Sequence, residues 1–272
     1  MTTTPMTPDQ WRSQLKKFGV EHREIGDFAS PTSGRDDETG LVFGPVYGVV
    51  IHHTGSDSSD ASNRNLIDKG RSDLPGPLAH SGLNDDGVID MLTWKRANHA
   101  GGGDPDVFEA VKNESYKDYP PPTDKHQGEA GAFDGNDVFY GLETYYSGSH
   151  EMTAKQYQSA VAWAAAICDF HGWSSKSVIG HKEWSDWKPD PGHVDMKVFR
   201  ADVQKMLDAQ GPVAPEGPKT VHPRISKAIA ANIAYDKALA RAKDLGALPS
   251  TNEARRALKE QRRSLRQWER KN

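Results

Sequence analysis

The chain is poor in cysteine, with Cys168 alone among 272 residues. No intrachain disulfide can form, so the fold must rest on a packed core. Cys168 sits in the apolar stretch 162–170, where it reads as a small buried hydrophobe and not as a nucleophile. No run approaches the ~20 apolar residues that cross a bilayer, and no membrane span is expected. The first ten residues are polar and lack the charged-then-apolar order of a secretory signal. Synthesis in a cytoplasm is therefore expected, with release by some other agent if the protein acts elsewhere. No internal repeat is present.

Basic residues are scarce in the body and concentrated at the end. Residues 219–272 hold 14 Lys/Arg against 5 Asp/Glu, whereas the preceding 218 hold 20 against 33. An acidic body with a basic tail suggests two jobs. Length and composition suit a soluble chain with one good-sized core plus an appendage.

Punctuation along the sequence predicts the elements. Thr7-Pro8-Asp9-Gln10 is a capping box with proline at the first helical position, opening a helix to about Phe18. Residues 27–45 are rich in Gly, Ser, Pro and Asp and read as loop. Residues 46–53 are β-branched and apolar, a buried central strand, and a helix near 61–71 follows. Asn84-Asp85-Asp86-Gly87 marks a turn between short strands at 79–83 and 88–92. Residues 101–137 carry nine acidic side chains against three basic and read as a long functional or mobile loop. A strand at 138–146 precedes a second capping box, Thr153 to Gln156, and a helix ending at Gly172. A short strand at 178–180 and a helix at 195–209 complete the pattern. The fold class expected is α/β, a central mixed sheet flanked by helices, with a C-terminal helical extension. The expected segments are an N-terminal helix and loop (1–45), a catalytic domain (46–209), a Pro- and Gly-rich linker (210–219) and a basic helical tail (220–272).

Eleven histidines direct the search for chemistry. A catalytic zinc takes three protein ligands and keeps one open position. His52 and His53 end the first buried strand. Side chains alternate across a strand, so only one of the pair can face a given metal, and both strand faces are apolar. His181 ends another strand. Asp190 lies nine residues on, in Lys188-Pro189-Asp190-Pro191-Gly192, where two prolines and a glycine stiffen the loop. A lone histidine is more often a surface or core residue; the His pair, the strand-end His and the Pro-locked Asp together point to metal. Glu143 interrupts an apolar, aromatic strand. A carboxylate there is costly without a partner or a task, and burial suits it to act as a general base, unless the strand is an edge facing solvent. Lys188 could stabilise an oxyanion, though a loop lysine is usually just solvated.

These residues, in this order, resemble the amidase-2 family, which includes peptidoglycan recognition proteins, cytoplasmic muropeptide amidases and phage T7-type lysozyme amidases. The resemblance runs from about residue 46 to 207. It is carried by Val49-Val-Ile-His-His-Thr-Gly55, His80 before the Asp-Asp-Gly turn, Ala97-Asn-His-Ala-Gly101, Gly141-Leu-Glu143, Gly180-His181 and Lys188-Pro-Asp-Pro-Gly192. It implies His52, not His53, as the first ligand of a zinc ion, with His181 and Asp190 completing the set. Some relatives carry Cys in the third position, and recognition proteins without a third ligand only bind peptidoglycan. The resemblance also implies Glu143 as acid/base and Lys188 at the oxyanion. His99 falls where the family lines its substrate groove, His80 packs or hydrogen-bonds near the metal, and both join Thr54 as candidate substrate-binding residues. The 101–137 stretch departs from the compact family core.

The implied function is a zinc-dependent N-acetylmuramoyl-L-alanine amidase acting on peptidoglycan, in the setting of a phage endolysin released by a holin. A muropeptide-recycling amidase and a non-catalytic peptidoglycan sensor are the alternatives. The basic tail reads first as an anchor to an anionic cell-wall polymer and second as an oligomerising hairpin. Nucleic acid is not an expected partner, because the tail holds only Tyr235 and Trp268 as aromatics.

Overall fold

The computed structural model describes residues 2–36 and 40–210, all within the compact unit Met1–Pro212. The expected linker and basic tail beyond residue 210 lie outside the described residues. The elements, in chain order, begin with α1 (Pro8–Lys17), β1 (His22–Glu24), β2 (Gly48–His53) and α2 (Asp60–Lys69). Then come the hairpin β3 (Gly70–Arg71) and β4 (Leu74–Pro75), followed by β5 (Ser81–Leu83), β6 (Ile89–Met91), β7 (Gly102–Gly103), α3 (Pro105–Lys112) and β8 (Phe133–Asp134). The remainder is β9 (Phe139–Thr144), α4 (Ala154–His171), β10 (Val178–Gly180), α5 (His181–Trp184) and α6 (Met196–Gln210).

Six strands form one mixed sheet in the order β1-β6-β5-β9-β2-β10. Only β5 and β6 pair antiparallel; every other neighbour is parallel. The antiparallel pair is closed by the Asn84–Gly87 turn, where Gly87 adopts φ +84° and Asn84 Oδ1 accepts from Val88 N–H at 2.7 Å. Both expected capping boxes form, at Thr7 with Gln10 and at Thr153 with Gln156. Gly172 ends α4 in the left-handed region, where a Cβ would be strained.

Central β2 is apolar on both sides because helices cover both. Val49 and Ile51 pack with α1, α4 and α6, around Trp11, Leu15, Trp163 and Phe199. Val50 packs on the opposite face with α3, among Val107, Phe108, Val111, Ile179 and Trp184. This second layer corrects the expectation for 101–137. Asp104 caps α3 and Pro105 opens it, and its residues Val107, Phe108, Ala110 and Val111 are buried. The Gly, Pro and acidic content that reads as loop belongs to the flanks of a core helix. Strand β1 was also not expected: three half-polar residues carry no alternation signal, and they pair with β6 only through tertiary contact.

Candidate active site

Three neighbouring parallel strands deliver the site at their carboxyl ends. His52 of β2 stands opposite Glu143 of β9 in the register, and Gly180 of β10 stands opposite Ile51, so that His181 follows beside His52. Such edges are where open α/β sheets bind ligands. His52 shares the face of Val50 and His53 that of Ile51, and it is His52 that turns toward His181 and Asp190. His52 is 1% exposed, and its Nδ1 lies 2.9 Å from His181 Nδ1 and 3.1 Å from Asp190 Oδ2; His181 Nδ1 is 3.0 Å from the same oxygen.

The tautomers follow from the outer partners. His99 Nε2 can only donate to the Phe139 carbonyl, at 2.9 Å, which leaves His99 Nδ1 as an acceptor. His52 Nε2–H donates to it at 3.0 Å, so His52 Nδ1 carries a bare lone pair. His181 Nε2–H donates to the Ala100 carbonyl at 3.1 Å, and its Nδ1 is likewise bare. Two imidazole lone pairs and a carboxylate oxygen thus face one another at about 3 Å, an arrangement that repels unless a cation sits among them. His52, His181 and Asp190 are the one buried His/Cys/Asp/Glu group of this kind among the described residues. Bonds of ~2.1 Å at tetrahedral angles would set donors ~3.4 Å apart, so zinc fits with an outward shift of a few tenths of an ångström.

Electrostatics agree with ligation. Burial, then the His181 charge, pulls the His52 pKa down to about 4, and burial holds His99 well below its usual value. Both are neutral near pH 7, the form that ligates metal or positions a ligand. Burial opposes ionisation of Asp190, but the His181 and His52 rings at its Oδ2 outweigh that and hold its carboxyl below the usual range.

Glu143 is half-buried as a residue, yet its Oε2 is buried without a hydrogen-bond partner. Burial pushes its carboxyl well above the usual range; the Asp190 charge adds to the shift and Lys188 opposes it. Lys188 is exposed on the loop before Asp190, and its charge is felt at both Glu143 and His52. A cavity of about 550 Å³ opens over His99, His181 and Lys188.

The remaining expected residues differ in their placement. His80 is fully buried; its Nδ1 accepts from Gly141 N–H at 3.0 Å and its ring packs beside His99 and Phe43. It supports His99 and is closed to a ligand. His99 borders the cavity but spends both ring nitrogens on orienting His52. The Thr54 hydroxyl turns to the carbonyls of Ser56 and Tyr146 at 3.3 Å.

Sequence reasoning missed the clamp on the Asp190 loop. His53 Nδ1 accepts from Gly192 N–H at 3.0 Å, Tyr146 OH donates to the Gly192 carbonyl at 2.7 Å, and Lys182 Nζ donates to the Pro191 carbonyl at 2.9 Å. The only local signal was the second histidine of the pair. Its partner lies 139 residues away.

Ligand atoms gathered at strand ends, beside a carboxyl whose proton affinity burial has raised, form a hydrolase site able to take a metal. The chain belongs to the Amidase_2 family, N-acetylmuramoyl-L-alanine amidase, whose profile matches residues 43–193, more than half of its length, and it is accordingly an amidase of that kind. No curated protein matches it. Similar solved structures include the N-acetylmuramoyl-L-alanine amidase LysC from Clostridium intestinale, at 16% identity over 67% of this chain and 97% of that one, TM-score 0.43. A selenomethionine derivative of AmpD matches at 22% identity over 67% and 94%, TM-score 0.44. The Staphylococcus aureus hydrolase AmiA, solved with its ligand, matches at 15% identity over 79% and 98%, TM-score 0.43.

Proposed function

We propose that the protein is a zinc-dependent amidase that hydrolyses the lactyl-amide bond between MurNAc and L-Ala of peptidoglycan, and that it serves as a phage endolysin. The carrying observation is the trio of lone-pair atoms from His52, His181 and Asp190, 2.9–3.1 Å apart and without a proton of their own to share. Zinc, when bound, supplies a Lewis acid for the scissile carbonyl and for water. Glu143 takes a proton from the attacking water and returns it to the leaving alanine nitrogen; its raised proton affinity suits both halves of the cycle. The Lys188 ammonium offsets charge developing on the carbonyl oxygen. His99 holds His52 in the ligating tautomer.

The endolysin role draws on the basic content of 219–272, which a recycling enzyme for soluble fragments does not need. No helix among the described residues is long and apolar enough to cross a membrane. The basic content of 219–272 is what makes that stretch the candidate for holding the enzyme to an anionic wall.

Elemental analysis of the purified chain should find one zinc per molecule. Glu143→Ala should keep that zinc and lose ~10²–10⁴-fold in turnover. Intact sacculi should be cleaved at least as well as soluble muropeptides. A metal-free active enzyme, or near-wild-type lysis by the variant, would overturn the mechanism, and activity on muropeptides alone would replace the endolysin reading with the recycling one.

A further inference from the structure

Trp187, one residue before Lys188, is 65% exposed at the rim of the active-site cavity. It is nevertheless held in place. The His126 imidazole stacks on one face of the indole, with ring centroids 3.5 Å apart and planes 14° apart. His126 comes from the 101–137 stretch and is itself fixed, its Nδ1 lying 2.9 Å from Asp186 Oδ1 and 3.4 Å from Glu129 Oε2. The backbone closes the brace, with Asp186 N–H donating to the Lys125 carbonyl at 3.1 Å. The result is a rigid, flat apolar plate with one face covered by protein and the other bare beside the cavity. The indole thus offers, in one fixed orientation beside the cavity, a flat apolar face with a polar N–H at its edge.

The chemistry of the neighbours says what that face suits. Asn98, Gln127 and Asp134 line the same cavity. Each already bonds the protein, Asn98 to Arg96 and Pro75, Gln127 Oε1 to Gly102 N–H, and Asp134 to Arg96 and Asn136. Their second lone pairs and remaining amide hydrogens are the polar capacity left for hydroxyls and N-acetyl groups. A pyranose ring of an N-acetylated amino sugar has that pair of faces: axial C–H bonds on its flat side and polar groups around its equator.

We propose that Trp187, braced by His126, is a sugar platform that holds the glycan ring adjoining the muramyl residue whose amide is cut. This assignment rests on the amidase reading and names the part of the substrate that the 101–137 stretch recognises. Trp187 sets the preference for polymeric wall over short fragments.

Two measurements test it on the full chain. Chitotetraose, which has the amino sugars but no lactyl amide, should bind the wild type in calorimetry; Trp187→Ala should abolish binding and Trp187→Phe should retain part of it. With substrates, Trp187→Ala should raise KM for glycan polymer about tenfold while leaving kcat nearly unchanged. KM for a single N-acetylmuramoyl peptide without a neighbouring sugar should stay as in wild type. His126→Ala should give a smaller shift in the same direction. Unchanged chitotetraose affinity in Trp187→Ala, or an equal rise in KM on both substrates, overturns the platform. Saccharide binding that maps to Trp187 in a protein that cleaves no amide would instead sustain the platform and sink the amidase mechanism, so the two failures are distinct.

Discussion

His99 shows how a single residue can set the geometry of a candidate metal site without entering it. Its Nε2–H is committed to the Phe139 carbonyl, which forces His52 to donate through Nε2 and present Nδ1 to Asp190 and His181. Removing it frees the ring to turn and to change tautomer. His99→Ala should therefore weaken zinc binding ~10–100-fold, measured by chelator competition, while the zinc-saturated enzyme keeps most of its turnover. Loss of turnover at saturating zinc with unchanged affinity would place His99 on the substrate instead. The motif Ala97-Asn-His-Ala-Gly101 singles out this histidine in the sequence, but the motif cannot show where its nitrogens go.

At the scale of elements, the site depends on strands held from both faces. α3 packs Phe108 on Phe133, with centroids 4.3 Å apart, and covers Val50 and Ile179, the strand residues that precede His52 and His181 by two positions. Phe108→Ala should cost ~3–5 kcal/mol. At ~2–4 °C per kcal/mol for a unit of this size, calorimetry should show a Tm lower by roughly 10 °C. A shift under ~2 °C would mean that α3 is a surface appendage and not a layer of the core. Most other elements were legible from the sequence because caps and periodicity are local: Thr153 and Gln156 satisfy each other within one turn. α3 was not, because its eight residues sit inside a long Gly- and Pro-punctuated stretch and its partners come from distant strands.

For the whole molecule, acid should be the weak side. His171 is buried at the end of α4; its Nδ1–H donates to the Thr2 carbonyl at 2.7 Å, and its Nε2 accepts from Tyr140 OH at 3.2 Å. Burial pulls its pKa down from 6.5 to about 4. Between those values the unfolded chain takes up a proton that the folded chain refuses, so stability rises with pH across the window. The contribution is complete above pH ~6.5 and lost by ~4, at most about 3 kcal/mol. Urea midpoints should fall from pH 7 to pH 4.5, with the N-terminal segment around Thr2 losing hydrogen-exchange protection first; a flat profile would exclude His171 as the sensor. The basic end of the chain makes a separate prediction. A truncation at Gly211 should keep amidase activity on soluble substrate and lose pull-down by cell walls. Full retention of wall binding would assign the anchor to the catalytic unit.

The sequence by itself determined which residue types stand at strand ends and stiff turns: the His pair after an apolar β-branched run, Gly180-His181, and Asp190 between two prolines. Those are consequences of chain-local geometry, fixed within a few residues. Family resemblance already pointed to His52 over His53; only the tertiary structure gave His53 its own task, securing the Gly192 backbone. It also decided that three lone pairs meet at about 3 Å, and that part of a stretch read as loop is a core layer. Each of those outcomes depends on hydrogen bonds and packing between residues dozens to more than a hundred positions apart, and no local pattern encodes which of two equally apolar strand faces will meet the other two strands.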